Sequence, residues 1–380
     1  MRPPQRLASL DGLRGVAAVV VLAHHALLTV PALAAGYYDR VTRDPLAWML
    51  SYTPLHTFWA GREAVYLFFV LSGMVLVLPV LRKGREFLWL SYYPRRVLRL
   101  YLPVAAAVLF GFALSVLVTR YQAEGLGAWM NNRNVEYTLE GLFRDVLLVF
   151  GPSWVITPLW SLRWEVFFSL LLPVFVLLAA TLRRMWWAKM AAVFALLIVG
   201  SLTGSSYLFL LPIFAIGALL IAEWERIGEA ASRLDARPWR WPAFIGVASV
   251  LTTSTWLLAG AGDAAFARAI GWVPILGVTL FVIVAGYHAP SVRLLESRLA
   301  QWLGMISFAL YLVHEPLIIA ARFLTFPLSP LVGIAVSVPL AFLIAWVFAH
   351  FVEQPAHRLA KAAGMGFANL FTRSAARGPH

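Results

Sequence analysis

The sequence predicts an all-α protein, a polytopic integral membrane bundle of about ten transmembrane helices with both termini cytoplasmic. Composition is the first reason: of 380 residues, 61% are hydrophobic and 13% charged, at a mean hydropathy of +0.78. A soluble domain carries about a quarter charged residues. Apolar runs also recur at lengths near the ~20 residues that a helix needs to cross a bilayer, without the alternation of barrel strands. The third reason is the side on which the basic residues fall.

Ten spans are expected, at 12–34, 64–81, 100–119, 159–180, 186–201, 206–222, 241–259, 271–287, 304–323 and 328–351. The fifth and sixth are the weakest, because 201–206 leaves little room for a turn. With the N-terminus inside, 21 Lys and Arg lie in inside segments, from Arg2 and Arg6 to Arg377. Only eight lie outside, Arg40, Arg120 and Arg133 among them. The net charge of +13 follows mostly from this bias, so nucleic acid is not needed as a partner. The lipid bilayer is. Eight tryptophans, from Trp154 to Trp302, fall at span ends as an interfacial aromatic belt.

The chain has no cysteine, which excludes a thioester on the protein, a disulfide and a Cys-ligated metal. No metal and no resident cofactor are expected. No cleavable signal peptide is evident, although Ala34-Ala35 follows the first span. Residues 1–358 form the membrane domain and 359–380 a short basic cytoplasmic tail, with no attached soluble domain. In the outer segment 120–158, Leu139, Leu142, Phe143, Val146 and Leu147 share one side of a helix over 138–150.

Chemistry is expected first in the opening span. Arg14 and His25 are eleven residues apart, so on a helix both project from one face, about 16 Å apart along its axis. His24 points elsewhere. Ionisable groups inside a membrane are costly and mark functional sites, and a neutral imidazole there can accept a proton from a hydroxyl. Asp11 suits an N-cap and pairing with Arg14. Its pairing would equally make Arg14 a plain snorkelling cation.

Further along, Arg96 and Arg99 share a helix face in the densest basic cluster and present forked donors suited to phosphate. Simple topology or anionic lipid binding would also explain that cluster. Glu165, about two turns below the outer surface, needs a partner that Arg163 cannot supply, so it is expected to face a cation from another helix or a substrate hydroxyl. His314 and Glu315 lie in the middle of the ninth span, before Pro316. Glu353 ends the tenth span, where a helix-end carboxylate bound to Arg or backbone is the simpler account. Ser72-Gly73 reads as a close helix-packing point.

Six segments taken in order resemble the polytopic membrane acyltransferases of the acyltransferase-3 family, which includes O-antigen and peptidoglycan O-acetylases and macrolide acyltransferases. They are Leu10-Asp11-Gly12-Leu13-Arg14-Gly15 with His25 at the family's spacing, Phe68 to Gly73, Arg96-Val97-Leu98-Arg99, Ser161 to Glu165, Tyr311 to Pro316, and Glu353 with Pro355 and Arg358. Each alone is weak; in order, from residue 10 to 358, they are specific. Two departures stand out. Ser169 follows Phe168 where the family often has Phe-Tyr, and the esterase-like domain that larger members carry after the last span is not expected here.

The resemblance implies a cytoplasmic acyl-coenzyme A donor, commonly acetyl, and a hydroxyl acceptor such as a cell-envelope glycan, in a bacterial inner membrane. Transfer would be direct or through a separate extracytoplasmic partner. Arg96 and Arg99 would hold donor phosphates, and Arg14 would orient the donor or His25. His25 would act as general base or transient acyl carrier, and Glu165 would position the acceptor hydroxyl. The rival class is a transporter or flippase for a glycan or lipid-linked substrate, which would also carry intramembrane Arg, His and Glu. Against it stand the one-sided basic cluster and the lack of a visible internal repeat.

Overall fold

The computed structural model describes residues 7–38, 42–133, 136–259 and 264–376. Arg2, Arg6, Arg40 and Arg377, used in the topological count, lie outside the described residues. Among the described residues every regular element is a helix. The chief ones are α1 (Ala8–Leu27), α2 (Gly61–Lys83), α3 (Trp89–Leu117), α4 (Leu139–Leu147), α5 (Leu159–Leu170), α6 (Leu172–Ala180) and α7 (Trp186–Thr203). They continue with α8 (Ser206–Ala222), α9 (Arg240–Thr252), α10 (Val273–Tyr287), α11 (Arg298–Thr325), α12 (Pro330–Phe348) and α13 (Gln354–Ala376).

Among the described residues seven helical stretches are long and apolar enough to cross a membrane, or nine if each of two bent pairs counts as one span. The chain is thus a multi-pass membrane protein. The bent pairs are α5 with α6, at 63°, and Ser206–Ala222 with Trp224–Ala236, at 77°. The expected seventh span falls short because α9 has 13 residues and stops before Thr253. At 1.5 Å per residue that is about 20 Å, against a ~30 Å hydrocarbon core.

Other boundaries move for local reasons. The first span begins earlier, at Ala8, and ends at Leu27; Pro31 opens a separate helix, Pro31–Tyr38, because it lacks an N–H and disfavours helix in the residue before it. Asp11 therefore sits inside the first turn rather than at the cap. The doubtful turn between the fifth and sixth spans closes in two residues. Gly204 takes a φ of +70°, open to glycine at little cost, and the Ser205 side chain accepts from the Leu208 N–H. The helix of the last span continues beyond 351. It passes through a π turn, Ala349–Glu353, into α13, so residues assigned to a basic tail form a helix packed along α3.

Two seams hold the bundle. Helices α1 and α11 run parallel in backbone contact: a methyl on Gly15 would lie 2.5 Å from the Gly304 nitrogen, and one on Gly304 would lie 2.4 Å from the Asp11 carbonyl. Between α2 and α8, a methyl on Gly73 would lie 2.1 Å from the Phe214 carbonyl, so the packing role expected of this glycine holds. Helix α11 is the central post, buried from Ile306 to Phe323 apart from Phe308. Outside the spans, α4 exposes Leu139 and Phe143 and buries Asp145. That carboxylate accepts from the Tyr137 hydroxyl at 2.5 Å and from the Ser153 amide and hydroxyl at 2.6 Å each. Burial pushes the Asp145 carboxyl up against the pull of these hydrogen bonds.

Candidate active site

One face of α11 runs from a charged cavity to a buried histidine pair. Ser307, Phe308, Tyr311, His314 and Glu315 follow at helical spacing along it. At one end, Ser307, Phe308 and Tyr311 line a cavity with Arg14 from α1, Phe68 and Ser72 from α2, Arg96 and Arg99 from α3, Glu165 from α5, and Glu353 and His357 from the α12–α13 junction. Its water-accessible volume is about 110 Å³, room for several waters.

The charges in this cavity are partly neutralised already. The Arg96 guanidinium bonds the Glu165 carboxylate and donates to Ser169 Oγ at 2.9 Å, and the Ser72 hydroxyl donates to the same carboxylate. Arg99 Nε donates to His357 Nε2 at 3.1 Å, and that nitrogen lies 3.6 Å from Glu353 Oε1. Glu353 Oε2 is buried with no hydrogen-bond partner. A carboxylate oxygen left bare beside arginines suits a site that a further polar group completes.

At the other end, His25, in the last turn of α1, meets His314 and Glu315 of α11. His314 Nδ1 lies 2.9 Å from the Leu310 carbonyl. A carbonyl only accepts, so Nδ1 carries the proton and Nε2 is the acceptor. His25 Nδ1 lies 3.0 Å from both the Val21 carbonyl and His314 Nε2, so it too carries the proton. This network assigns the tautomers and leaves His25 Nε2 with a free lone pair, 3.9 Å from Glu315 Oε1.

Glu315 is fully buried and clamped. The Thr157 amide donates to Oε2 at 2.6 Å and the Thr157 hydroxyl bonds Oε1. Arg133, from the outer segment, places Nη2 3.7 Å from Oε1 while its guanidinium lies 4.6 Å over the Trp129 ring. Amide, hydroxyl and guanidinium partners favour the anionic form of this carboxylate against the cost of its burial. It can therefore stabilise a positive charge that arises on His25.

The structure thus gathers Arg14, Arg96, Arg99, Glu165 and Glu353 around one cavity and His25, His314 and Glu315 in a second cluster. Arg14 and His25 share a helix but not a cavity lining. Glu165 differs most from expectation. The chain dips inward at Val155 to Thr157, which are buried, so α5 starts inside the bundle at Leu159 and carries Glu165 to the arginine side. It faces a cation on another helix, Arg96, and not the side of His25. Arg96 in turn has one guanidinium nitrogen on Glu165 and another on Ser169, which leaves Arg99 and Arg14 better placed for a phosphate.

Sequence reasoning passed over Arg133, Thr157, His357 and the hydroxyl of Ser72. Arg133 carried only a loop-charge signal, Thr157 none, and His357 lay four residues past Glu353, beyond the last expected span. Among the described residues no three His, Asp or Glu side chains are placed to hold a metal ion. A family model described as an acyltransferase domain, of the acyltransferase-3 type, matches residues 7–350. Among curated proteins and among solved structures, none matches the chain.

Proposed function

Given that the chain belongs to the acyltransferase family matched over residues 7–350, we propose that this membrane acyltransferase moves a short acyl group, acetyl foremost, from acyl-coenzyme A to a hydroxyl of a cell-envelope glycan in a bacterial cytoplasmic membrane. The observation that carries this reading is the bare Nε2 of His25, with the Glu315 carboxylate behind it and an arginine-lined cavity one helix face away.

Arg99 and Arg14 contact donor phosphates, while the Arg96–Glu165 pair shapes the cavity wall. The span from Arg14 to His25, about 16 Å along α1, is on the scale of an extended pantetheine arm. At the far end His25 Nε2 takes the proton of the acceptor hydroxyl as its oxygen attacks the thioester carbonyl. The C–S bond breaks, and the departing thiolate receives the proton from His25. Glu315 stabilises the imidazolium between these steps. Transfer passes directly to the acceptor or through a separate extracytoplasmic partner.

Purified protein in sealed vesicles, given labelled acetyl-coenzyme A on one face and an amphiphilic glycan on the other, tests the reading. Label should appear on the glycan and coenzyme A should stay on its own side. Transport of the intact thioester, or full transfer by His25→Ala, would overturn it.

A further inference from the structure

Two aromatic rings stand in the cavity wall where α11 leads from the arginines toward the His25 cluster. Phe68 of α2 and Tyr311 of α11 both line the cavity and meet edge to face, 5.8 Å between centroids. Behind Tyr311 stands the His314 ring, at 6.1 Å. The Tyr311 hydroxyl is fixed at 2.7 Å from Ser161 Oγ and donates to the Pro158 carbonyl at 3.0 Å. His25, 3.0 Å from His314 on the side of that ring, is absent from the cavity lining.

We propose that Phe68 and Tyr311 form a gate between the donor cavity and His25, and that this pair sets the length of acyl chain the protein transfers. The inference rests on the acyl-thioester reading above. A thioester that enters from the arginine side leads with its acyl group, which must pass the two rings before its carbonyl reaches His25. Beyond them it meets His314, Glu315 and Ile156, all almost fully buried. Packed walls make such a passage discriminate by methylenes, since each one without room costs overpacking strain.

The gate is also wired to the catalytic side. Tyr311 and Glu315, one helical turn apart, grip neighbouring residues of the same inward dip: Tyr311 holds the Pro158 carbonyl and Glu315 holds Thr157. Displacement of Tyr311 by an arriving acyl group therefore pulls on the segment that clamps Glu315. Donor entry is in this way coupled to the carboxylate that supports His25.

The test is a donor series of acetyl-, butyryl- and hexanoyl-coenzyme A, with kcat/KM measured for each and donor binding measured separately. Phe68→Ala should raise the hexanoyl-to-acetyl ratio by at least about tenfold, the scale of pocket discrimination by methylene groups. Phe68→Leu should shift it in the same direction by less, and serves if the alanine variant fails to fold. Tyr311→Phe keeps the ring and should keep the wild-type ratio while losing rate. An unchanged ratio in both Phe68 variants, with donor binding intact, would overturn the gate but leave the acyltransferase reading standing. A wild-type protein that neither binds nor turns over any of the three donors would sink both.

Discussion

The two ends of the α11 face handle charge in opposite ways. Around the cavity, three arginines and two carboxylates share one wet space, and ion pairs such as Arg96 with Glu165 leave groups able to exchange partners with a ligand. Around His25 the imidazoles are neutral and the single carboxylate is fully buried under Thr157 and Arg133. The first arrangement suits binding of a charged molecule that must also leave; the second suits a proton transfer that needs a fixed field. Recognition and chemistry are thus segregated along one helix.

The sharpest way to break this contrast is His25→Ala. Loss of a general base lowers kcat by roughly 10²- to 10⁴-fold, while labelled acyl-coenzyme A binding should stay near wild type. A variant that lost donor binding instead would place His25 on the recognition side. Next comes Glu315→Gln, which leaves Arg133 without its buried anion at a cost of about 3 kcal/mol. Thermal unfolding in detergent should show that loss alongside a fall in kcat at unchanged KM.

A smaller effect is expected at the recognition end. Arg99→Ala should raise KM for acyl-coenzyme A by about tenfold, on the scale of one hydrogen bond to a charged group. The gap to wild type should narrow as salt rises, because screening weakens the contact that only wild type makes. A KM unmoved at low salt would return Arg99 to a structural tie with His357. The mildest case is His24→Ala. His24 Nδ1 lies 3.0 Å from the Trp59 carbonyl, and its ring sits where a methyl on Gly61 would clash. Stability should drop by about 1–3 kcal/mol, with kcat retained in the folded fraction; a loss of kcat to match His25→Ala would undo the assignment of the two neighbours.

Helical periodicity made the Arg14–His25 face legible, and the intramembrane cost of charge pointed to Glu165, His314 and Glu315. Those signals are local. What they could not convey is pairing across the chain: Thr157 meets Glu315 over 158 positions and Arg99 meets His357 over 258. Arg133 read as one more outside cation, since its position over Trp129 and Glu315 depends on how the outer segment folds back. The depth of Glu165 was misjudged for a related reason. Hydropathy counts a span from its apolar boundary, and the inward dip before Leu159 is apolar too. The shortened α9 and the helix beyond Glu353 show the same limit, because an apolar run does not reveal where its backbone breaks or continues.

The partnership of α1 with α11 also bears on how the protein is made. Chains are synthesised from the N-terminus, so α1 enters the bilayer with His25 well before residues 314 and 315 exist. Until α11 arrives, the imidazole has neither His314 nor Glu315 beside it, and Gly15 has no Gly304 backbone to meet. Assembly of the reactive cluster is therefore one of the late events of biogenesis. A truncated chain released before α11 would carry its arginines and first histidines in the membrane without the surface that closes over them, a species suited to recognition by membrane quality-control proteases.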